Sequence, residues 1–318
     1  MFKKNFFYLF IFTFSISCSN IQSINKESIF ISSIENKNKN IEMIYAPIIN
    51  FDSQETHYIT SIEKYVEMGL TLKGKNKIGF SKKFKTITNA NELSMYVDKS
   101  IDGFTLYLDS NDKVSDFDRK VYTRKVIKND YIYLQYWFFY SYNDTKGIGG
   151  NFLIHKCGNH QADWEHIGIK INSSKFNTAT NNDEYISAIE EIYFSQHAKK
   201  SHIERKFKKP KDVIFKETHV NVFSARGTHA SYAKPHQGKG YFLHNVLGMN
   251  LYDKADGRGL KFETENYLQD LESSSWSKFG GRWGKIDDDY CNLIEWFSDA
   301  SNDGPYGPLQ QIPSTDWD

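Results

Sequence analysis

Alternating or continuous runs of apolar residues, which are typical of β-strands, dominate the chain from about residue 41 onward. The segment Tyr131–Tyr142 is apolar at both alternating positions, which predicts a strand that is buried on both faces. In Trp164–Ile171, the alternate positions 167, 169 and 171 are isoleucine, which predicts a strand with one buried face. Ile186–Phe194 and Val213–Phe223 continue the pattern, and clusters of Gly, Asn, Asp and Ser separate the runs.

Helical patterns are few and short. The best candidates are Thr60–Met68 and Asn91–Met95. No glycine-rich phosphate loop lies between a predicted strand and a predicted helix, so nucleotide-binding α/β folds lack their main signal. The predicted fold class is therefore mainly β: a β-sandwich with long decorated loops and few short helices.

The N-terminus has the layout of an export signal. Lys3 and Lys4 precede the apolar run Phe6–Phe14, which is too short for a membrane span of about 20 residues. The residues that follow, up to Cys18, resemble a bacterial lipoprotein signal, although Leu is absent three positions before the cysteine. We expect residues 1–17 to be a signal peptide and the protein to be exported. It is then lipid-anchored to a membrane through Cys18, or secreted without an anchor.

The remaining chain divides into two parts. Residues 18–40 are rich in Ser, Asn, Lys and Glu, which predicts a flexible tether. No repeat and no Pro- or Gly-rich linker interrupts the rest, so we expect residues 41–318 to be a single β-sandwich domain.

Charge and composition limit the partners. The chain has 40 Lys plus Arg against 39 Asp plus Glu, so no strong overall field favours nucleic acid, and none is expected as a partner. Aromatic residues make up 16% of the chain, which favours strands. The basic stretch Lys199–Lys211 is typical of a solvated loop and would also suit an anionic membrane surface. No protein partner is indicated.

Two cysteines remain besides Cys18. Cys157 and Cys291 form an even pair in a chain with an export signal. They either form a disulfide or pack as two buried thiols.

The densest polar cluster lies at the start of the second long strand. Asp163 and Glu165 are two residues apart, so both project from one strand face, about 6.5 Å apart at their Cα atoms. His160 precedes them by three residues, and Asp144 follows the central strand and would lie nearby if the two strands form a hairpin. Oxygen-rich ligands suit a divalent cation such as Mg²⁺, Ca²⁺ or Mn²⁺. The alternative is that the carboxylates serve only the fold, through backbone hydrogen bonds or ion pairs.

Two further polar clusters end predicted strands, within Tyr193–His197 and Ser224–Tyr232. Functional side chains often lie on loops that a rigid sandwich holds, so we expect both clusters to share one rim with the cation. The predicted ligand-binding residues are His197, His229, Ser231 and Tyr232.

Five ordered motifs between residue 45 and the turn Gly304–Pro308 resemble the vacuolar protein sorting-associated protein 62 family, which has plant and fungal members. They are Tyr45-Ala46-Pro47 with Glu55 and Tyr58, Gln135–Phe138, His160–His166, Tyr193–His197 and His229–Tyr232.

The central motif is also similar to the heptapeptide Gly-His-Arg-His-Asp-Trp-Glu of the necrosis-inducing, ethylene-inducing-peptide-like cytolysins. That resemblance implies a β-sandwich with a divalent cation at the motif. By position, His160, Asp163 and Glu165 match the family's ligands, and Asp144 matches the remaining Asp. Gln161-Ala162 stands where the cytolysins have Arg-His, so membrane-lytic activity is not implied.

Three functions fit these observations. The first is an exported, cation-assisted protein that binds a polar ligand, either a glycan or a membrane lipid headgroup. The second is a metal-dependent hydrolase in which the cation activates water and His160 or His229 is the general acid or base. The third is a structural scaffold with no ligand.

Overall fold

The computed structural model describes residues 41–144, 159–196, 206–238, 242–246, 249–286, 303–311 and 315–317. Within these ranges the chain forms seventeen strands and several short helices. The strands are β1 Ile48–Phe51, β2 Leu70–Lys75, β3 Ser81–Ile87, β4 Ser100–Ile101, β5 Phe104–Asp109, β6 Val121–Lys128, β7 Tyr131–Asn143, β8 His160–Asn172, β9 Ile189–Phe194, β10 Phe207–Lys208, β11 Phe215–Lys216, β12 His219–Ser224, β13 Ser231–Tyr232, β14 Phe242–Val246, β15 Met249–Tyr252, β16 Lys261–Glu263 and β17 Leu268–Asp270. The α-helices are α1 Ile41–Ile44, α2 Ile62–Glu67, α3 Ser173–Thr178, α4 Asn182–Ala188 and α5 Pro308–Gln311, and 3₁₀ turns span Ala90–Met95, Pro210–Asp212 and Ser275–Lys278.

The described strands form three sheets and one separate hairpin. Sheet I has the order β11-β12-β1-β16, with β13 paired to β12, and sheet II has the order β10-β9-β8-β7-β6-β17. Sheet III has the order β3-β2-β5-β4, and β14 pairs with β15 alone. The predicted mainly β fold with few short helices is confirmed. None of the helices in the described ranges has the length and apolar composition that crossing a bilayer requires.

Sheet II is the middle layer because both of its faces carry apolar side chains. On one face, Tyr136 and Phe138 of β7 join a hydrophobic cluster with Ile49 of β1 in sheet I. On the other, Trp137 and Phe139 join a second cluster with Leu72 of β2 in sheet III. The continuous apolar run of β7 therefore reflects burial on both sides, as its sequence predicts.

Two predicted strands are shorter in the structure. Residues 186–188 belong to helix α4, which begins after Asn181, whose side chain accepts a hydrogen bond from the Glu184 backbone N–H. Val213–Phe223 is not one strand, because a turn with Glu217 at φ 55° separates β11 from β12. The two short helical predictions are confirmed by α2 and by the 3₁₀ turn Ala90–Met95.

Residues 315–317 cover part of the face of sheet II that carries Trp137. His166 Nε2 lies 2.6 Å from Asp316 Oδ1, and the His166 ring stacks on Trp137 at a centroid distance of 4.0 Å. The Trp317 indole packs against Tyr133 and donates to Glu191 Oε2 at 2.8 Å. His166 and Gly168 of β8 are therefore buried as well.

Candidate functional site

The β7–β8 hairpin brings the predicted polar residues to one end of sheet II. The strands pair in antiparallel register, with Asn143 opposite His160 and Tyr140 opposite Asp163. Asp144 therefore follows β7 at the end where β8 begins.

Asp163 is buried and is held by two hydrogen bonds to a single oxygen. Its Oδ2 lies 2.9 Å from His229 Nδ1, and it accepts a hydrogen bond from Asn143 Nδ2 at 3.2 Å. Because an ionised carboxylate can only accept, this contact places the His229 proton on Nδ1. Asp163 Oδ1 accepts no hydrogen bond from the described residues.

Glu165 is half-buried, and one of its carboxylate oxygens accepts a single hydrogen bond. The Ser195 hydroxyl donates to Glu165 Oε2, and Ser195 Oγ in turn accepts the His166 backbone N–H at 2.9 Å. Glu165 Oε1 has no hydrogen-bond partner in the described part of the chain. Burial raises the pKa of the Glu165 carboxyl well above its ordinary value, and the charge of Asp163 raises it further. Two carboxyl groups thus lie close together on one strand face.

The loop between β12 and β13, residues 225–230, ties the site together. His229 lies in this loop with φ 56°, and its ring stacks on Tyr140 at a centroid distance of 3.8 Å and an angle of 4°. Its side chain is 0% exposed, and its Nε2 lies 3.9 Å from Glu55 Oε1. A left-handed conformation is uncommon for a residue other than glycine, so the surrounding contacts must hold His229 in place.

Other acidic groups anchor the same loop. Glu55 Oε2 accepts the Gly227 backbone N–H at 2.7 Å, and Asp253 Oδ1 accepts the Thr228 hydroxyl at 2.8 Å. The Asp144 backbone N–H donates to the Gly227 carbonyl at 2.9 Å.

Acidic groups also surround the ring of Tyr140, whose hydroxyl lies 3.4 Å from Ser224 Oγ. Burial raises the pKa of Tyr140 well above its ordinary value. Three nearby carboxylates raise it further: those of Glu165, Asp163 and Glu55. The site is therefore a concentration of carboxyl groups around one tyrosine and one histidine.

The two remaining predicted ligands lie at the rim of this cluster. His160 Nδ1 is 2.6 Å from the Ala162 carbonyl oxygen, which can only accept, so Nδ1 carries a proton in this contact. Asp144 Oδ1 accepts a hydrogen bond from Asn159 Nδ2 at 3.2 Å. In the described ranges, no group of three or more His, Cys, Asp or Glu side chains is arranged to hold a metal ion.

The predicted ligand-binding residues Ser231 and Tyr232 are buried. The Ser231 backbone N–H donates to the Ser195 carbonyl at 2.7 Å, and the Tyr232 hydroxyl donates to Asp253 Oδ2 at 2.6 Å. With His229 they form the inner wall of the site. His197, Cys18, Cys157 and Cys291 lie outside the described residues, so the predictions made for them stay predictions.

The sequence pattern assigns no role to Glu55, Tyr140, Ser195 or Asp253. Glu55 and Ser195 lie within the family motifs, but their partners are far along the chain, so spacing carries no signal for these contacts. Tyr140 belongs to the apolar run of β7, which predicts only a core position, and nothing near Asp253 singles it out in the sequence.

The fold and the site together define a β-sandwich protein with a carboxylate-rich site at one end of its middle sheet. The family model for vacuolar protein sorting-associated protein 62 matches residues 10–285, and the chain belongs to this family. The family prediction is therefore confirmed. No curated protein matches the chain.

Three solved structures are similar in outline. "Crystal structure of non-toxic HaNLP3 protein" is 13% identical, with 81% of this chain and 90% of that chain covered and a TM-score of 0.36. "Toxin fold for microbial attack and plant defense" is 11% identical, with 86% of each chain covered and a TM-score of 0.38. "NLPPya in complex with glucosamine" is 14% identical, with 75% of each chain covered and a TM-score of 0.33.

Proposed function

We propose that the chain is a binding protein that holds a divalent cation at Asp163 and Glu165 and uses it to bind a polar ligand, a glycan or a lipid headgroup. One observation carries the proposal. Each carboxylate has one oxygen that is fixed by a hydrogen bond and one that accepts no hydrogen bond from a described residue, and both carboxylates lie on the same face of β8. Hard cations such as Mg²⁺, Ca²⁺ and Mn²⁺ prefer such oxygens, and a cation would relieve the repulsion between the two carboxylates.

The side chain of His160 also fits a cation. Metal-binding histidines usually donate their second ring N–H to a carbonyl or a carboxylate, and His160 Nδ1 contacts the Ala162 carbonyl in this way. Its Nε2 has no partner in the described part of the chain. Asp144 Oδ1 accepts a hydrogen bond from Asn159, and Asp144 would coordinate the cation only after this hydrogen bond is broken.

His229 is a positioning residue in this proposal. It is fully buried, and it fixes the orientation of Asp163 through Nδ1. The same burial gives the hydrolase hypothesis no support at His229, because a general base must reach the proton that it moves. Ser231 and Tyr232 support the loop from behind, and His197 remains our proposed direct contact to the ligand.

Calorimetric titration with Mg²⁺, Ca²⁺ and Mn²⁺ tests the cation. We expect Asp163→Asn and Glu165→Gln each to weaken binding by at least about tenfold, because each removes a charged ligand. Glu263→Gln is the matched control, since Glu263 is an exposed carboxylate in β16 that pairs with Lys216. Affinity that is unchanged in both site variants would show that the carboxylates serve only the fold.

Two variants of His229 separate positioning from folding. Asparagine tolerates a positive φ and carries an amide donor, so His229→Asn should keep cation affinity within a few-fold of the wild type. His229→Leu removes the donor and should weaken binding about as much as Asp163→Asn. Thermal unfolding without cation, measured for each variant, shows whether a loss of affinity is only a loss of fold.

The ligand itself is tested with two probes, glucosamine and glycerol phosphate. A cation that coordinates hydroxyl or phosphate oxygens should make the binding of one probe depend on the cation. If either probe binds equally well with and without the chelator EDTA, the cation does not assist that ligand.

We also propose that the protein is exported with processing before Cys18, on the evidence of Lys3, Lys4 and the apolar run that follows. Mass spectrometry of the mature N-terminus checks this. A retained Met1 would contradict it.

A further inference from the structure

The hairpin of β2 and β3 carries an unusual distribution of charge. Between Glu67 and Glu92 the chain has no acidic residue and six lysines, although the whole chain is nearly neutral. Lys85 pairs with Glu92 across the end of this segment. Lys77 and Lys83 are exposed and make no ion pair with a described residue.

The tip of the same hairpin exposes two large apolar side chains. Ile78 is 89% exposed and Phe80 is 62% exposed. Both lie in a turn that the Asn76 side chain stabilises. Asn76 Oδ1 accepts hydrogen bonds from the backbone N–H groups of Ile78 and Phe80, at 3.2 and 2.8 Å. An ordered turn that projects two apolar side chains into water is not explained by the needs of the core.

Aromatic rings continue from the tip toward the core. The Phe80 ring packs edge-on against Phe104 at 6.3 Å, and Phe104 packs against Phe84 at 6.2 Å. Gly74 makes room for them, since a Cβ there would lie 2.7 Å from the Phe84 ring. The Lys82 amino group lies 5.1 Å from the centroid of that ring. The tip is thus an extension of a packed aromatic row, flanked by positive charge.

We propose that the tip of the β2–β3 hairpin, residues 76–83, docks on an anionic lipid bilayer. Lysines near such a surface are attracted by about 1 kcal/mol each, a factor of about five in affinity, and apolar side chains between them enter the interface. Charge complementarity favours an anionic surface, and the exposed Ile78 and Phe80 favour a bilayer over a nucleic-acid backbone, which offers no apolar layer. This surface is separate from the Asp163 site and does not depend on the function proposed for it.

Vesicle sedimentation with the full chain tests the proposal. The probes are vesicles of phosphatidylcholine alone and of phosphatidylcholine with about 30% phosphatidylserine, a composition chosen to be anionic. We expect the full chain to bind the anionic vesicles more tightly. The affinity for these vesicles should fall by about tenfold or more in Ile78→Ser/Phe80→Ser and in Lys82→Glu/Lys83→Glu. Ile127→Ser/Ile214→Ser is the matched control, because both isoleucines are also exposed, and it should bind as the wild type does.

The N-terminal segment, with its expected lipid anchor, could bind vesicles by itself, so a second measurement reports on the hairpin tip alone. Acetylation of lysine amino groups, followed by peptide mapping, should show that anionic vesicles protect Lys77, Lys82 and Lys83 but not Lys120. Equal reactivity of all four lysines with and without vesicles would overturn the proposal, as would equal binding of the tip variants and the control. The cation affinity of Ile78→Ser/Phe80→Ser, measured by calorimetry with Mg²⁺, Ca²⁺ and Mn²⁺, should equal that of the wild type, which separates failure of the docking surface from failure of the cation site.

Discussion

Gly168 lets residues 315–317 pack closely against β8. A Cβ at this position would lie 2.1 Å from Asp316 Oδ2, well inside contact distance. Gly168→Ala therefore forces residues 315–317 away from β8, and we expect it to lower the free energy of unfolding by about 1–3 kcal/mol. Urea denaturation followed by tryptophan fluorescence measures this.

The Asp316→Ala background provides the control for Gly168. Without the Asp316 carboxylate the added methyl group has more room, so the cost of Gly168→Ala should fall to less than half of its wild-type value. An equal cost in both backgrounds would mean that the strain arises elsewhere in β8.

The sequence predicts which site residues lie together only where those residues are close along the chain. Asp163 and Glu165 share a face because side chains alternate along a strand, and that period can be read from the sequence. The contact between His229 and Asp163 joins residues 66 positions apart, and no local pattern encodes it. Pairing within the site therefore required the structure.

At the scale of elements, the turn after β13 holds a histidine in its neutral form. The His236 ring packs edge-on against Tyr232 at 4.4 Å, and its Nδ1 accepts the Gly238 backbone N–H at 3.3 Å. Burial lowers the pKa of His236 from 6.5 to about 4, although the charges of Asp253 and Asp52 oppose the change. Between about pH 4 and pH 6.5, His236 is therefore neutral in the folded chain and protonated in the unfolded chain.

This turn should make stability depend on pH. Below pH 6.5 the unfolded chain takes up a proton at His236, and the folded chain does so only near pH 4, so stability is lost as the pH falls between these values. His236→Gln, which does not titrate, should lose less stability than the wild type between about pH 7 and about pH 4.5. Urea midpoints at the two pH values check this, and an equal loss in both proteins would contradict it.

Strands were predicted better than their boundaries. The run in β7 was unambiguous, because continuous apolar character over the length of one strand is typical of a strand buried on both faces. Residues 186–188 carry apolar side chains that suit a strand equally well, but the cap at Asn181 makes them the last turn of helix α4. The strands of sheet III were not predicted from the sequence pattern, and their packing against sheet II depends on long-range contacts.

At the scale of the whole molecule, sheet II lies between two hydrophobic clusters, and strand β7 contributes side chains to both. Adjacent residues of β7, Phe138 and Phe139, belong to different clusters. The predicted sandwich is present between sheets I and II, and sheet III adds a layer that composition alone could not reveal. The cation and lipid proposals concern different parts of this assembly, the loop end of β8 and the tip of β2–β3.

The position of β1 in sheet I has a consequence for synthesis on the ribosome. Its neighbours are β12, where Ile48 pairs with Asn221, and β16, where Ile48 pairs with Glu263. These partners emerge about 170 and 215 residues after β1, which at about 5–20 residues per second is a delay of roughly 10 to 40 s. Until β12 emerges, both edges of this apolar segment lack a partner, and until β16 emerges one edge does; an open edge is prone to pairing with other chains. A chain truncated before β16 should therefore aggregate more readily than the full chain, because one edge of β1 has no partner.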